Sequence, residues 1–450
     1  MQEHPQSLRR FLATLTGRGA LRIISKPASV DFEISAYLGL IGDGPALLFE
    51  NIPGHTLRVL GNVLPTRERI ALGLDTTVAD LQRKIMNAIG TPIAPRPMSD
   101  GPCQERVVDT PDLGALPVPR FFEHETGPYI TAGAIVACDP ESGRGNLSFA
   151  RLKPLGGNRA FIGIAPNHHL AVFARRAADL GRTLPIAVTL GNHPAVLIAA
   201  ALYLGRGEDE LHVAGALLGE PVEVVRCGHT DLVVPAHCEI VLEGTLHPSE
   251  RVREGPVSEY HGFYENYGDG YVVEFARLTR RRDAILQVIQ PGYAPEHVWI
   301  GGEAIAAGLA IRLSQRLPSV RAVAVTPAGC GRMHAVVSLT APRPGDARQA
   351  ISLGLSAVNL VKRVTVVDDD IDPWDAARVE WAIATRMRAD RDLVVVPGAK
   401  TDRSDPIEQG GVIAKLGFDA TRKADDRDDW TLAAPPAAVM AKVKREIENL

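Results

Sequence analysis

Apolar residues recur at Leu8, Phe11, Leu12 and Leu15, the spacing of one helix face, and the pattern stops at Gly17. ALLFENI (46–52) and RVLGNVL (58–64) are short apolar runs and predict buried strands. Pro92, Pro95 and Pro97 predict a linker. From about 111 to 300 the pattern changes. YITAGAIVACD, NLSFARLK, RAFIGIA, LPIAVTLG, PVEVVRC, CEIVLEGTL, YVVEFARLT and AILQVIQPG are short, rich in β-formers and separated by turn residues. Such regular strands predict a barrel or sandwich, interrupted by one helix over 168–181. From about 301 to 435, strands at 321–327, 334–340, 363–367 and 392–396 alternate with helices over 346–361 and 374–386, an α/β layer arrangement. The last residues, AAVMAKVKREIENL, predict an amphipathic helix that docks on this chain or on a partner chain. The whole reads as a mixed α/β chain of three domains: 1–110, 111–300 and 301–450.

Composition narrows the function classes. The chain has 450 residues, 23% of them charged, and a net charge of −4, with no basic run, so no nucleic-acid partner is expected. The longest apolar run, AVLIAAALYLG at 195–205, is too short to span a bilayer, so no membrane partner is expected either. MQEHPQSLRRFL lacks the apolar core of a signal peptide. Cys103, Cys138, Cys227, Cys238 and Cys330 are scattered with no CxxC pair. That excludes a thiolate zinc frame and suits reduced thiols in the cytoplasm.

Candidate chemistry concentrates in the β-rich middle. NLSFAR carries Asn146, Ser148 and Arg151; in one strand Asn146 and Arg151 face opposite sides and serve two sites. The plain structural alternative is a barrel strand with a turn asparagine and an exposed arginine. His168 and His169 begin a helix, where phosphate and metal both bind well, though adjacent histidines are also common surface caps. Glu208 and Asp209 suit helix capping, whereas Glu210, before Leu211, turns inward and then needs a cation. Asn, His and Glu form a hard O/N donor set that suits Mg²⁺ or Mn²⁺ shared with a phosphate. No GxGxxG or P-loop occurs in a strand–turn–helix setting.

EGPVSEYHGFYENYG (254–268) places Glu254 and Glu259 five apart, on opposite faces if the chain stays extended. Gly255-Pro256 breaks the run directly after Glu254. With a bend there, both carboxylates reach Arg151, and an arginine between two acids leaves one ionised and the other able to shuttle a proton. Read on spacing alone, a solvated loop acid and a strand-edge acid are the simpler account of the pair.

NLSFAR, the HH pair, EDELHVAGALLGEPVEVV, VPAHCEIVLEGTL, EGPVSEYHGFY and VVDDDIDPWDAARVEWAIATRM, in this order over roughly 130–425, resemble the UbiD-type decarboxylases that use prenylated FMN. The resemblance implies an N-terminal α/β domain, a central split β-barrel that binds the flavin, and a C-terminal α/β domain that carries the dimer contact. It implies that Asn146, His169 and Glu210 hold a metal, normally Mn²⁺ with a nearby K⁺, on the flavin phosphate. It implies that Arg151, Glu254 and Glu259 form a catalytic Glu–Arg–Glu network, and that Ser148, Phe149, Ala150, His168 and Lys362 contact the cofactor. It further implies a flavin prenyltransferase as cofactor supplier, a homodimer or higher homo-oligomer, and an unsaturated or aromatic acid and CO₂ as reactants.

Two features depart from the family pattern. The chain is shorter than many members, and His168 replaces another polar residue. His297 in QPGYAPEHVW enters the substrate pocket or lies in a loop at a domain junction. A histidine in the pocket suits a polar or dicarboxylic heteroaromatic acid of the furan or pyrrole type. The alternatives are a phenolic or cinnamate-type acid, or a flavin-binding maturation protein without turnover.

Overall fold

The computed structural model describes residues 3–205, 208–423 and 432–447. The helix Leu8–Gly17 forms as predicted, with Leu8, Phe11, Leu12 and Leu15 buried and the Ser7 side chain capping the Arg10 N–H. The two predicted strands join a four-stranded sheet in the order Leu21–Ile24, Ala46–Phe49, Arg58–Gly61, Ile285–Gln287. Its last strand comes from far along the chain and pairs in parallel with Arg58–Gly61.

The middle of the chain builds an eight-stranded antiparallel sheet. Its path runs Gly145–Phe149, Ala134–Cys138, Leu184–Leu190, Ile240–Arg253, Asp269–Arg280, Arg159–Gly163, Arg151–Gly156, with Arg106–Asp109 also pairing Asp269–Arg280. The two end strands are consecutive in the chain, joined by Ala150 alone. The sheet therefore curls until its ends meet, although no ladder among the described residues closes it into a full barrel. That joint puts Asn146 and Arg151 on one short segment at the meeting of the two edges.

The last third is a five-stranded mixed sheet in the order Val320–Val325, His334–Leu339, Arg363–Asp368, Val412–Asp419, Leu393–Lys400, with helices Asp346–Ala357 and Ala376–Arg386. Lys415 is buried in this sheet, and its Nζ donates to Leu355 O and Asn359 O at 3.0 Å each, so it caps the C-terminal end of Asp346–Ala357. The terminal helix Ala437–Ile447 buries none of its side chains and leaves Val439, Met440, Val443 and Ile447 exposed, so it does not dock on this chain.

The helix Pro295–Ser314 staples the first third to the last. Glu296 Oε1 accepts the Val63 and Leu64 N–H groups at 2.8 Å each, and Glu303 pairs with Arg67 at 2.6 Å. No helix among the described residues is long and apolar enough to cross a membrane.

Burial pushes the Glu296 carboxyl up to about 7, against its backbone hydrogen bonds. A carboxyl raised in the fold stabilises it while protonated. That contribution is whole below the ordinary value of 4.5 and is lost as pH rises through about 7, on the order of 3 kcal/mol in all. In a pH series of thermal midpoints, Glu296→Gln is expected to flatten the fall between pH 5 and about 8. An unchanged slope contradicts this.

Candidate active site

Period-two alternation in Gly145–Phe149 turns Asn146 and Ser148 to the same buried face. Glu210 opens the helix Glu210–Leu218, whose N-terminus is capped by Asp209 through the Leu211 N–H at 2.8 Å. One carboxylate oxygen of Glu210, Oε2, accepts from Asn146 Nδ2 at 3.0 Å and from the Leu147 N–H at 2.9 Å. Asn146 Oδ1 in turn accepts the Ser148 hydroxyl at 3.1 Å. Burial pushes the Glu210 carboxyl up to about 7, with these hydrogen bonds opposing it. No lysine or arginine among the described residues pairs with it, as the inward placement requires of a site built for a cation.

His169 begins the helix His169–Asp179, which packs against Gly145–Phe149, and so stands at a helix N-terminus beside the same strand. His168 is the N-cap residue, its Nδ1 buried and without a partner. Burial, with His169 adjacent, lowers it to about 4, so this imidazole is neutral at physiological pH. Phe149 and Ala150 lie half-buried at the joint between the two end strands. A buried carboxylate, an amide oxygen and an imidazole at a helix start are a donor set that fits a hard divalent cation carrying a phosphate.

The second cluster begins one residue past the joint. Arg151 makes a two-pronged contact with Glu254: Nε to Oε1 at 2.5 Å and Nη2 to Oε2 at 2.7 Å. Its Nη1 lies 3.6 Å from Glu259 Oε1. Burial opposes the arginine's charge, but the Glu254 bond and both carboxylates outweigh it and hold the guanidinium firmly protonated. The bend predicted after Glu254 is present. Gly255 has φ +86°, and a Cβ there would stand 2.6 Å from the Thr126 methyl, so glycine alone fits.

Several residues that complete this cluster escaped the sequence reading. The Thr126 hydroxyl donates to Glu254 O at 2.8 Å, and Lys153 Nζ binds both that hydroxyl, at 2.9 Å, and Glu254 O. Lys153 sits two residues beyond Arg151, on the same strand face, and period-two counting would have found it. Gly163 lies across the ladder from Arg151, and a Cβ there would meet its guanidinium at 3.0–3.1 Å. Past the bend, Val257–Ser258 pairs with Tyr264–Glu265, and Glu259 N donates to Phe263 O at 3.0 Å, so Glu259 rides in the loop of a small hairpin. Buried Glu125 anchors that hairpin, accepting Ser258 Oγ at 2.8 Å.

The last third of the chain closes the hairpin from the far side. Tyr260 OH donates to Ser404 O at 3.0 Å, and Arg403 lies 4.4 Å over the Tyr267 ring, which Arg151 approaches from its own side at 5.2 Å. Lys362 pairs with buried Asp405 at 3.0 Å within this segment. His297 lies in the first turn of Pro295–Ser314, with Nδ1 at 3.0 Å from Gly292 O. Burial, with Arg332 nearby, lowers it to about 4.

Models of the three domains of the 3-octaprenyl-4-hydroxybenzoate carboxy-lyase match the chain consecutively. The N-terminal domain matches residues 12–89, the Rift-related domain 96–294 and the C-terminal domain 298–420. The chain belongs to the UbiD family. It is 34% identical over 420 residues to the anhydromevalonate phosphate decarboxylase of Methanothermobacter thermautotrophicus, covering 92% of this chain and 96% of that one. Its structure matches the UbiD-class enzyme HmfF from Pelotomaculum thermopropionicum in complex with FMN, with a TM-score of 0.93 and 37% identity over 98% of this chain and 99% of that one. An evolved dimeric form of HmfF in complex with prFMN matches with a TM-score of 0.89 and 35% identity over 96% and 98%. The chain is therefore a UbiD-class carboxy-lyase with a mixed α/β fold.

Gly163→Ala is expected to displace the Arg151 guanidinium without unfolding the sheet. Turnover of the flavin-loaded UbiD-class enzyme should fall on the order of 100-fold, with a lowered thermal midpoint but cooperative unfolding retained. Steady-state rates and a melting curve on the same sample check this.

Proposed function

We propose that this chain decarboxylates, reversibly and without net oxidation, an aromatic, heteroaromatic or α,β-unsaturated acid with prenylated FMN, and that heteroaromatic acids of the furan or pyrrole type are favoured. The observation that carries the reading is the Arg151 fork: two prongs on Glu254 and a third nitrogen 3.6 Å from Glu259. Asn146, His169 and Glu210 would hold Mn²⁺ or Mg²⁺, with K⁺ nearby, against the flavin phosphate. Ser148, Phe149, Ala150 and His168 would line the flavin, and Lys362, held by Asp405, would stand at its far side.

Bound prenylated flavin supplies the electron sink for loss of CO₂. Arg151, fixed by Glu254, turns Nη1 toward the acid and orients its carboxylate. Glu259, in the loop of the hairpin, delivers a proton from its carboxyl to the carbon that CO₂ leaves. Tyr260 on Ser404 and Arg403 on Tyr267 tie residues 403 and 404 to the side of the cluster that carries Glu259. The favoured acid follows from His297. Its Nδ1 bond to Gly292 O and its low pKa leave a neutral ring with Nε2 as acceptor, which suits a donor such as a pyrrole-type N–H. A second reading, an aliphatic unsaturated acid, is favoured by the 34% identity to anhydromevalonate phosphate decarboxylase.

The reading also places the protein in the cytoplasm, as a homodimer or higher homo-oligomer, with a flavin prenyltransferase as supplier of its cofactor. Glu259→Gln and Glu254→Gln are each expected to lower kcat by roughly 10²–10⁴ while bound flavin is retained. CO₂ release and the flavin absorbance of the same samples test this. Full activity in either variant would remove that glutamate from the chemistry.

A further inference from the structure

The N-terminal segment carries a cluster that the decarboxylase chemistry does not use. Gln6 Nε2 donates to Glu220 Oε1 at 2.9 Å and to Pro221 O at 3.0 Å, and Gln6 Oε1 accepts the Glu223 N–H at 2.9 Å. These bonds lay the segment along residues 220–223. His4 comes to rest on His237, with ring centroids 3.7 Å apart and planes 7° from parallel. Both imidazoles face one carboxylate oxygen. Glu223 Oε2 stands 2.6 Å from His237 Nε2 and 3.5 Å from His4 Nε2. Among the described residues, this is the only trio of histidine, cysteine and carboxylate side chains whose donor atoms all lie within 4.8 Å of one another.

The surroundings favour a cation between them. Glu223 and His237 are buried, and His4 is half-exposed. The other carboxylate oxygen, Oε1, is held by Arg96 at 2.5 Å, which fixes the group and keeps Oε2 turned toward the imidazoles. His237 Nδ1 is buried without a partner, as is Asn192 Oδ1, and both residues line one small cavity. Asn192 Nδ2 donates to Thr189 O and Oγ1, which sets the amide orientation and leaves Oδ1 as an acceptor. While His237 donates from Nε2 to Glu223, its Nδ1 is a second bare acceptor in that cavity. A metal ion on Nε2 moves the ring proton to Nδ1, a donor where Asn192 offers an acceptor. Donors on one tetrahedral zinc ion stand roughly 3.3 Å apart. His4 Nε2 and Glu223 Oε2 are close to that spacing already, and the His237–Glu223 contact has only to open slightly. Half-exposed His4 has room to tilt its ring toward the same point.

Two imidazoles and one carboxylate suit a borderline divalent ion better than Mg²⁺ or Ca²⁺. We propose that His4 Nε2, His237 Nε2 and Glu223 Oε2 bind a divalent ion of the zinc class, with solvent at the fourth position. The ion fastens the N-terminal segment to the strand Glu223–Arg226 and to the residues that follow Val233–Pro235. It is a second site, apart from the harder cation proposed for Asn146, His169 and Glu210.

The test is equilibrium dialysis of the full chain against micromolar Zn²⁺, followed by metal analysis, on wild type and His4→Ala. His4 is the most exposed of the three ligands, so its loss leaves the fold intact, and a melting curve without added metal checks this. Wild type is expected to hold about one more Zn²⁺ per chain than His4→Ala, and Zn²⁺ should raise the thermal midpoint of wild type more than that of the variant. Mn²⁺ and Mg²⁺ at the same concentration should show no difference that depends on His4. Zinc-edge anomalous scattering from crystals grown with Zn²⁺ should place the ion about 2.0–2.2 Å from the three named atoms. Equal Zn²⁺ content in the two proteins, uptake confined to millimolar Zn²⁺, or an anomalous peak elsewhere only would overturn the proposal. The readout is metal content, which does not depend on the decarboxylase reading.

Discussion

The pairing of Arg151 with Glu254 constrains everything around it. Glu254 is 1% exposed, and its partner lies at the joint between the end strands of a curled sheet. A buried ion pair repays its desolvation only with good geometry and every remaining polar atom satisfied, and losing one partner costs about 3–5 kcal/mol. Those conditions are met here by specific residues. Gly163 leaves room for the guanidinium, Gly255 turns the chain at the carboxylate, and Thr126 and Lys153 bind the Glu254 carbonyl oxygen. The result is a rigid fork with its third nitrogen directed at Glu259.

Rigidity on one side is matched by assembly on the other. Glu254 directly follows the sheet strand Ile240–Arg253, whereas Glu259 rides the loop of a hairpin of two-residue strands pinned by Glu125, Tyr260 and, through Tyr260, the loop at Ser404. The C-terminal segment thus helps place the proposed acid without supplying it. Pro295–Ser314 connects the same regions through Glu296 and Glu303, so one buried helix fixes the distance between the N-terminal sheet and the wall of the pocket. The cation-type cluster joins Asn146 on the preceding strand to Glu210 on the helix Glu210–Leu218, and the single residue Ala150 ties that strand to the arginine.

Much of this was legible in the sequence where the signal is local. The helix at 8–15, the strands around 46–64 and the alternation of NLSFAR follow directly from periodicity, and Gly255-Pro256 marked the bend that lets two distant acids reach one arginine. Pro295–Ser314 was not legible. Most of its residues are buried on all sides, so no polar face marks its period. The strand Val412–Asp419 was missed because Lys415 and Gly417 interrupt it. Both have packing reasons invisible locally: Lys415 caps a neighbouring helix, and Gly417 faces Ile351 closely. Gly163, Thr126 and the Tyr260–Ser404 bond join residues far apart in the chain, and only the folded arrangement reveals them. The terminal helix was legible as a helix, but not as one whose apolar stripe faces away from its own chain.

The most direct test of this account is intact mass and flavin absorbance on the chain co-expressed with a flavin prenyltransferase. Wild type, His169→Ala and Glu210→Gln would be compared. The account predicts close to one prenylated FMN per chain in the wild type and its loss in both variants, because they remove donors of the cation proposed to hold the flavin phosphate. Plain FMN or no flavin in the wild type, or full retention of prenylated FMN in both variants, would contradict it.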